Sequence, residues 1–228
     1  MGMWFTSPGR EPLRHRTMRR VRTGSAPGAA NSVEVGINRL ESFSDGVIAV
    51  AITLLVLGIS VPPDAKHLAS DLGNRWPEYA AYVISFITIG IIWINHHAMI
   101  SRLREADHTI LILNLLLLMT IAVLPFATEL VAKYREQSLA AAVYSGCFML
   151  MAIAFSLLDH RVLIVRADLL AETLPLQQRR QILRRATTGV LPYVVATALA
   201  FVSTYLTLGI CAALALYYAT PIASGRQA

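Results

Sequence analysis

Charge is scarce in this chain. Only 15% of its 228 residues are Asp, Glu, Lys or Arg, 55% are hydrophobic, and mean hydropathy is +0.54. A soluble domain carries roughly a quarter of its residues as charges, so a water-facing shell cannot be built here and lipid is the expected solvent. Cysteine is nearly absent too. Cys147 and Cys211 both fall inside apolar blocks, which excludes a disulfide framework or a cysteine-based zinc site. There is no Gly-rich phosphate loop, no Gly-x-Ser-x-Gly elbow and no His-Glu-x-x-His pair. No enzymatic activity and no cofactor are therefore expected. Lysine occurs twice, at Lys66 and Lys133, against 18 arginines, a bias that fits a GC-rich bacterial genome.

What is present is a series of long apolar blocks. Residues 1–35 form a basic N-terminal tail, with six Arg and three Pro before position 33, and read as disordered. They lack the uninterrupted apolar stretch of a cleaved signal. A six-helix membrane domain is expected over 36–222, with spans at 40–61, 79–100, 109–131, 139–164, 188–203 and 205–221. A short tail follows at 223–228. The Arg- and Gln-rich stretch 166–185 connects the fourth and fifth spans. It serves either to fix topology or to lie on anionic lipid as an amphipathic segment. Backbone hydrogen bonding in lipid makes each span helical, so the fold class is all-α and polytopic.

Placing both termini in the cytoplasm puts sixteen basic residues inside and four outside. This obeys the positive-inside rule. The net charge of +6 thus has a topological cause, and nucleic-acid binding is not expected. Glu129 and Glu136 fall near the outer face, either as solvated loop charges or as acids that draw cations to a mouth.

The first span is unlike a plain anchor. Asp45 lies within a turn of its start, beside Ser44 and six residues after Arg39. A carboxylate at the centre of a span costs about 2.5–3.5 kcal/mol on insertion scales, so Asp45 calls for a partner. The second span returns to the same depth at Trp93, Asn95, His96 and His97, all hydrogen-bond donors. A polar cluster of Arg39, Ser44, Asp45, Trp93, Asn95 and one or both histidines satisfies these groups together. The alternative is separate hydration of each at headgroup level. Further along, Val50, Leu54 and Leu57 recur at i, i+4 and i+7 with Thr53 beside them. Such a stripe ordinarily faces lipid or another helix.

The order Arg39-x-x-x-Phe43-Ser44-Asp45-Gly, then Thr53-Leu-Leu-Val-Leu, resembles the signature of the transmembrane protein 175 family of potassium channels. Trp93-Ile-Asn-His-His, Asn114-Leu-Leu-Leu-Leu and Leu124-Pro-Phe resemble its bacterial branch. The resemblance covers about Arg39 to Ala132; beyond that only hydropathy matches. It implies a homotetramer of six-helix chains in a bacterial plasma membrane, with the first helix of each copy around a K+ pore. By position it implies Val50, Leu54 and Leu57 as the constriction and Thr53 as a hydroxyl layer tied to selectivity. Arg39, Phe43, Ser44 and Asp45, with the Trp and His of the second helix, would hold the pore helices in place. Val50, a smaller side chain that would widen that point of the constriction, stands where the family commonly has Ile or Leu.

No Thr-Val-Gly-Tyr-Gly loop is present, so a ring of filter carbonyls is excluded, and a hydrophobic constriction that gates by dewetting is the expected device. A proton-coupled or cation transporter using Asp45 with His96 and His97 is the rival reading. It lacks the inverted repeats and mid-membrane helix breaks common in transporters. A haem held by His97 and His108 has only their shared face in its favour.

Overall fold

A computed structural model describes residues 36–62 and 66–219. The basic tail and the C-terminal tail, and hence the readings made of them, lie outside the described residues. The described elements are helices, joined by turns and by one isolated antiparallel bridge between Leu103 and Leu170. In order it forms α1 (Ile37–Leu54), tightened at its end into a 3-10 turn Leu55–Gly58, then α2 (Leu68–Asn74), α3 (Trp76–Ile100) and α4 (His108–Lys133). There follow α5 (Ser138–His160), prolonged by a π turn Arg161–Val165, then α6 (Leu176–Thr188), α7 (Val190–Leu199) and α8 (Thr204–Ala219).

Four of these are long and apolar enough to cross a bilayer: Ile37–Gly58, Trp76–Ile100, His108–Lys133 and Ser138–Val165. At ~1.5 Å per residue the 26 residues of α4 reach about 39 Å, ample for a ~30 Å hydrocarbon core. The last apolar block is divided into the 10 residues of α7 and the 16 of α8, with a turn through 200–203. The connector ahead of it is itself largely helix, since α6 carries Arg179, Arg180, Arg184 and Arg185. Gly189 at φ −65°, ψ −19° continues the helical path from α6 into α7.

The core lies between α4 and α5. Leu117, Ile121, Leu124 and Ala127 of α4 and Ala141, Tyr144, Phe148 and Met151 of α5 are all sealed from outside. One polar thread crosses this core. Thr128 spends its proton on the Leu124 carbonyl (2.7 Å), so Ser85 must donate to Thr128 (2.8 Å) and Tyr144 to Ser85 (3.0 Å). Each hydroxyl is satisfied and three helices are tied, as a buried polar group in lipid requires. Pro125 sits inside α4 and has no N–H for the Ile121 carbonyl.

One end of the bundle is clamped. Arg104 N–H donates to the Leu169 carbonyl and Ala171 N–H to the Arg102 carbonyl, each at 2.8 Å. Asp107 caps α4 by accepting from Ile110 N–H (2.8 Å), and it accepts from Arg161 (2.5 Å) and Arg166 (2.7 Å). Burial pushes the Asp107 carboxyl up, but the Ile110 N–H and the two guanidiniums outweigh it and hold it below the usual carboxylate range.

Candidate functional site

Helix α1 has two unlike faces. Leu40, Ser44, Ile48, Ala51 and Leu55 are buried against the bundle, at the i, i+4, i+8, i+11 spacing of one helical stripe. The opposite side is bare: Val50 is 56% exposed, Leu54 42% and Leu57 75%, with Phe43 and Val56 also open. Thr53 is exposed among them. Its hydroxyl donates to the Val50 carbonyl (2.8 Å), so the remaining lone pairs of Oγ1 face outward as acceptors. Beside the stripe, Phe43, Gly46, Val47, Val50 and Leu54 line an open groove of about 550 Å³, whose far wall is Ala122 of α4.

The 3-10 turn matters to this geometry. In an α-helix, i and i+3 are offset by about 60°, whereas in a 3-10 turn they eclipse. Leu57 therefore stands nearly in line with Leu54. The turn ends at Gly58, where a Cβ would lie 3.4 Å from Glu129 Cβ, so exposed Glu129 borders the end of the stripe.

At the other end of α1 the polar groups divide among three pairings. Asp45 accepts from Trp93 Nε1–H at 2.8 Å. Glu41 pairs with His97 Nδ1 at 2.7 Å, and His97 stacks on Trp93 with ring centres 6.1 Å apart. The third group is fully buried. His96 Nε2 meets Asn114 Oδ1 at 2.7 Å, Asn114 Nδ2 donates to Ser44 Oγ at 3.0 Å, and Ser44 donates to the Leu40 carbonyl at 2.8 Å. Because the amide nitrogen of Asn114 is spent on Ser44, its oxygen faces His96. His96 must then carry its proton on Nε2, leaving Nδ1 buried with no partner among the described residues.

One cluster around Asp45 is thus not what forms, and helical geometry explains it. Successive residues of α3 project ~100° apart, so only Trp93 and His97, four apart, can look onto the start of α1. His96 turns inward to α4. Asn95 lines a different cavity, and Arg39 is exposed, making no side-chain bond to Asp45 among the described residues. Two participants were not foreseen, Asn114 and Glu41. Asn114 was legible as a lone amide inside an apolar run from Ile110 to Met119, a placement lipid penalises unless paired. Glu41 had no such signal, because at a span boundary an acid is ordinarily hydrated.

Residues 39–125 match the sequence profile of the family described as endosomal/lysosomal potassium channel TMEM175. The chain is 44% identical over 186 residues to a protein of Streptomyces collinus named as a potassium channel, covering 79% of this chain and 90% of that one. A potassium channel of Chamaesiphon minutus is 41% identical over 189 residues, covering 79% and 92%. Among solved structures, the chain is similar to a lysosomal potassium-selective channel TMEM175 homolog from Chamaesiphon minutus. There the TM-score is 0.72 at 38% identity, with 80% of this chain and 96% of that chain covered.

Proposed function

The chain belongs to the TMEM175 family, and from that premise we propose that it is a potassium channel, passing K+ passively across a bacterial plasma membrane. The family is one of ion channels, not enzymes, and the protein is a multi-pass membrane protein. The working unit is a homotetramer of six-span chains with both termini in the cytoplasm. The α6–α7 rod and α8 complete the six spans in each chain. The α1 helices surround the pore, with Val50, Leu54 and Leu57 as its constriction.

The observation that carries this reading is the two-sidedness of α1. Its inner face is anchored by Ser44 to Asn114, while the stripe carrying Val50, Leu54 and Leu57 is left exposed by the described residues of the protomer. Four such stripes facing one axis make a narrow apolar throat that excludes water when closed. Thr53 Oγ1 has its proton committed to the helix, so a ring of these oxygens offers acceptors to a partly dehydrated cation. Glu129, at the Gly58 end, adds negative charge that raises the local cation concentration. Trp93 holding Asp45 and His97 holding Glu41 fix α1 against α3, so the throat keeps its rotational setting.

The test is K+ flux into proteoliposomes under a potassium gradient, with no counter-substrate supplied. Wild type should pass K+ under these conditions, which separates a channel from a coupled carrier. Leu54→Asn should wet the constriction and raise resting flux several-fold. Unchanged flux in a well-expressed Leu54→Asn protein would remove Leu54 from the pore.

A further inference from the structure

A second cavity, about 520 Å³, lies between α3, α5, α6, α7 and α8, away from the α1 stripe. Its two ends differ chemically. One wall is apolar, formed by Ile92 of α3 and by Met151 and Phe155 of α5. The other end gathers Arg102, Arg185, Gln178, Gln181 and Asp159. It opens at the end of the bundle where α3 terminates and α6 packs, the end that bears most of the arginines. Asp159 is the residue that needs explaining. It is 3% exposed, yet among the described residues no group donates a hydrogen bond to it, and Arg102 acts on it only through space. A carboxyl this deep needs a donor, and the space it faces is the cavity.

We infer that this cavity binds a phospholipid whose headgroup is anionic and bears hydroxyls, of the phosphatidylglycerol class. Arg102 and Arg185 take the phosphate, since guanidinium forks match phosphate oxygens in shape and charge. Asp159 accepts from a headgroup hydroxyl, with Gln178 and Gln181 beside it. One acyl chain runs along Ile92, Met151 and Phe155, where a freely soluble ligand would gain nothing from an apolar wall. Basic pockets between membrane helices are suited to anionic headgroups. The occupant goes beyond the pore reading and does not depend on it.

Native mass spectrometry of the full chain, purified in detergent, tests this with lipids of identical acyl chains. Phosphatidylglycerol should be retained about tenfold more tightly than phosphatidylcholine, the scale of a charge-assisted contact. The double variant Arg102→Gln/Arg185→Gln should lose that preference, while Arg180→Gln/Arg184→Gln, which removes equal charge from α6 outside the cavity, should keep it. Asp159→Leu should keep anionic-lipid binding but lose discrimination between phosphatidylglycerol and phosphatidic acid, which lacks the glycerol hydroxyls. Equal retention of phosphatidylglycerol and phosphatidylcholine by wild type overturns the proposal. So does equal competition by free glycerol phosphate, or exclusion of lipid from the intact oligomer, which would mean that a neighbouring copy fills the space. Should the double variant not fold, these wild-type comparisons decide alone.

Discussion

Replacing Asn114 by Ala should destabilise the protein by about 2–3 kcal/mol, and the arithmetic locates the loss on His96. Asn114 is fully buried and joins α4 to both α1 and α3 through two side-chain hydrogen bonds. Ser44 loses only an incoming donor, because its own proton goes to the Leu40 carbonyl, so its share is small. His96 loses the sole acceptor for Nε2–H while Nδ1 is already unpartnered. A buried donor left unsatisfied costs ~1–3 kcal/mol in protein interiors. Hydrogen bonds between membrane helices average only ~0.6 kcal/mol when broken, because the freed groups find other partners. A fully buried ring with no alternative acceptor recovers less, so the upper range applies. Unfolding of purified protein in mild detergent, followed by tryptophan fluorescence, measures this. Asn114→Ala combined with His96→Leu should be less destabilised than the sum of the two single variants, since removing the imidazole removes the orphaned donor. A loss below about 0.5 kcal/mol for Asn114→Ala, or strict additivity in the pair, would refute the reasoning.

Two further outcomes follow from groups outside that chain. Asp107 titrates below the usual carboxylate range when folded, so its stabilisation is complete above the unfolded carboxylate value. It is lost as pH falls through the depressed folded one. Asp107→Asn should flatten the acid limb of the stability profile below roughly pH 4, measured as the unfolding midpoint against pH, and an unchanged limb would dismiss the clamp as a source of stability. In the proposed pore, Thr53→Val keeps the volume of the throat but removes its oxygen layer. Bi-ionic reversal potentials should then shift towards loss of K+ over Na+ preference, and an unaltered reversal potential would place selectivity elsewhere.

The four long spans were readable because length and hydropathy alone define them. The apolar runs of α1 with its terminal turn, α3, α4 and α5 are each long enough for a bilayer, and in lipid no element but helix satisfies the backbone. The final block was harder. Its length is enough for two short helices, but nothing in hydropathy shows that Gly189 lets α6 run on into α7, since that depends on backbone angles. The polar groups near Asp45 were legible as residue types needing partners, not as pairs. Which of Trp93, His96 and His97 meets Asp45 depends on the rotation of α3 about its axis. That rotation follows from which face of the whole helix is buried, Ala81, Ser85, Ile89 and His96 among it, and not from the polar residues alone. Asp159 went unremarked because an acid followed by His160 and Arg161 reads as a hydrated span end, and only tertiary packing reveals its burial.

The bare stripe of α1 raises a question that apolarity alone does not answer, because in a bilayer an exposed leucine is at home against acyl chains as well as against another protein. What favours the proposed pore is how tightly the stripe is positioned. A lipid-facing surface tolerates rotation of its helix. Here one stretch near the start of α1, Glu41 to Asp45, is held by pairings to two other helices: Glu41 to His97, Ser44 to Asn114, and Asp45 to Trp93. Its far end is then rewound into a 3-10 turn, with Ile59 N–H bonding back to the Val56 carbonyl at 3.1 Å. That rewinding brings Leu57 nearly into line with Leu54, and with either winding Leu57 stays on the exposed side with Val50. The buried Ser44–Asn114 pairing, flanked by the more exposed Asp45–Trp93 and Glu41–His97 pairs, fixes the rotation of α1 more closely than a surface that only meets lipid requires. Such a fixed rotation is what the proposed ring of side chains needs if each copy is to present the same residues to a common axis.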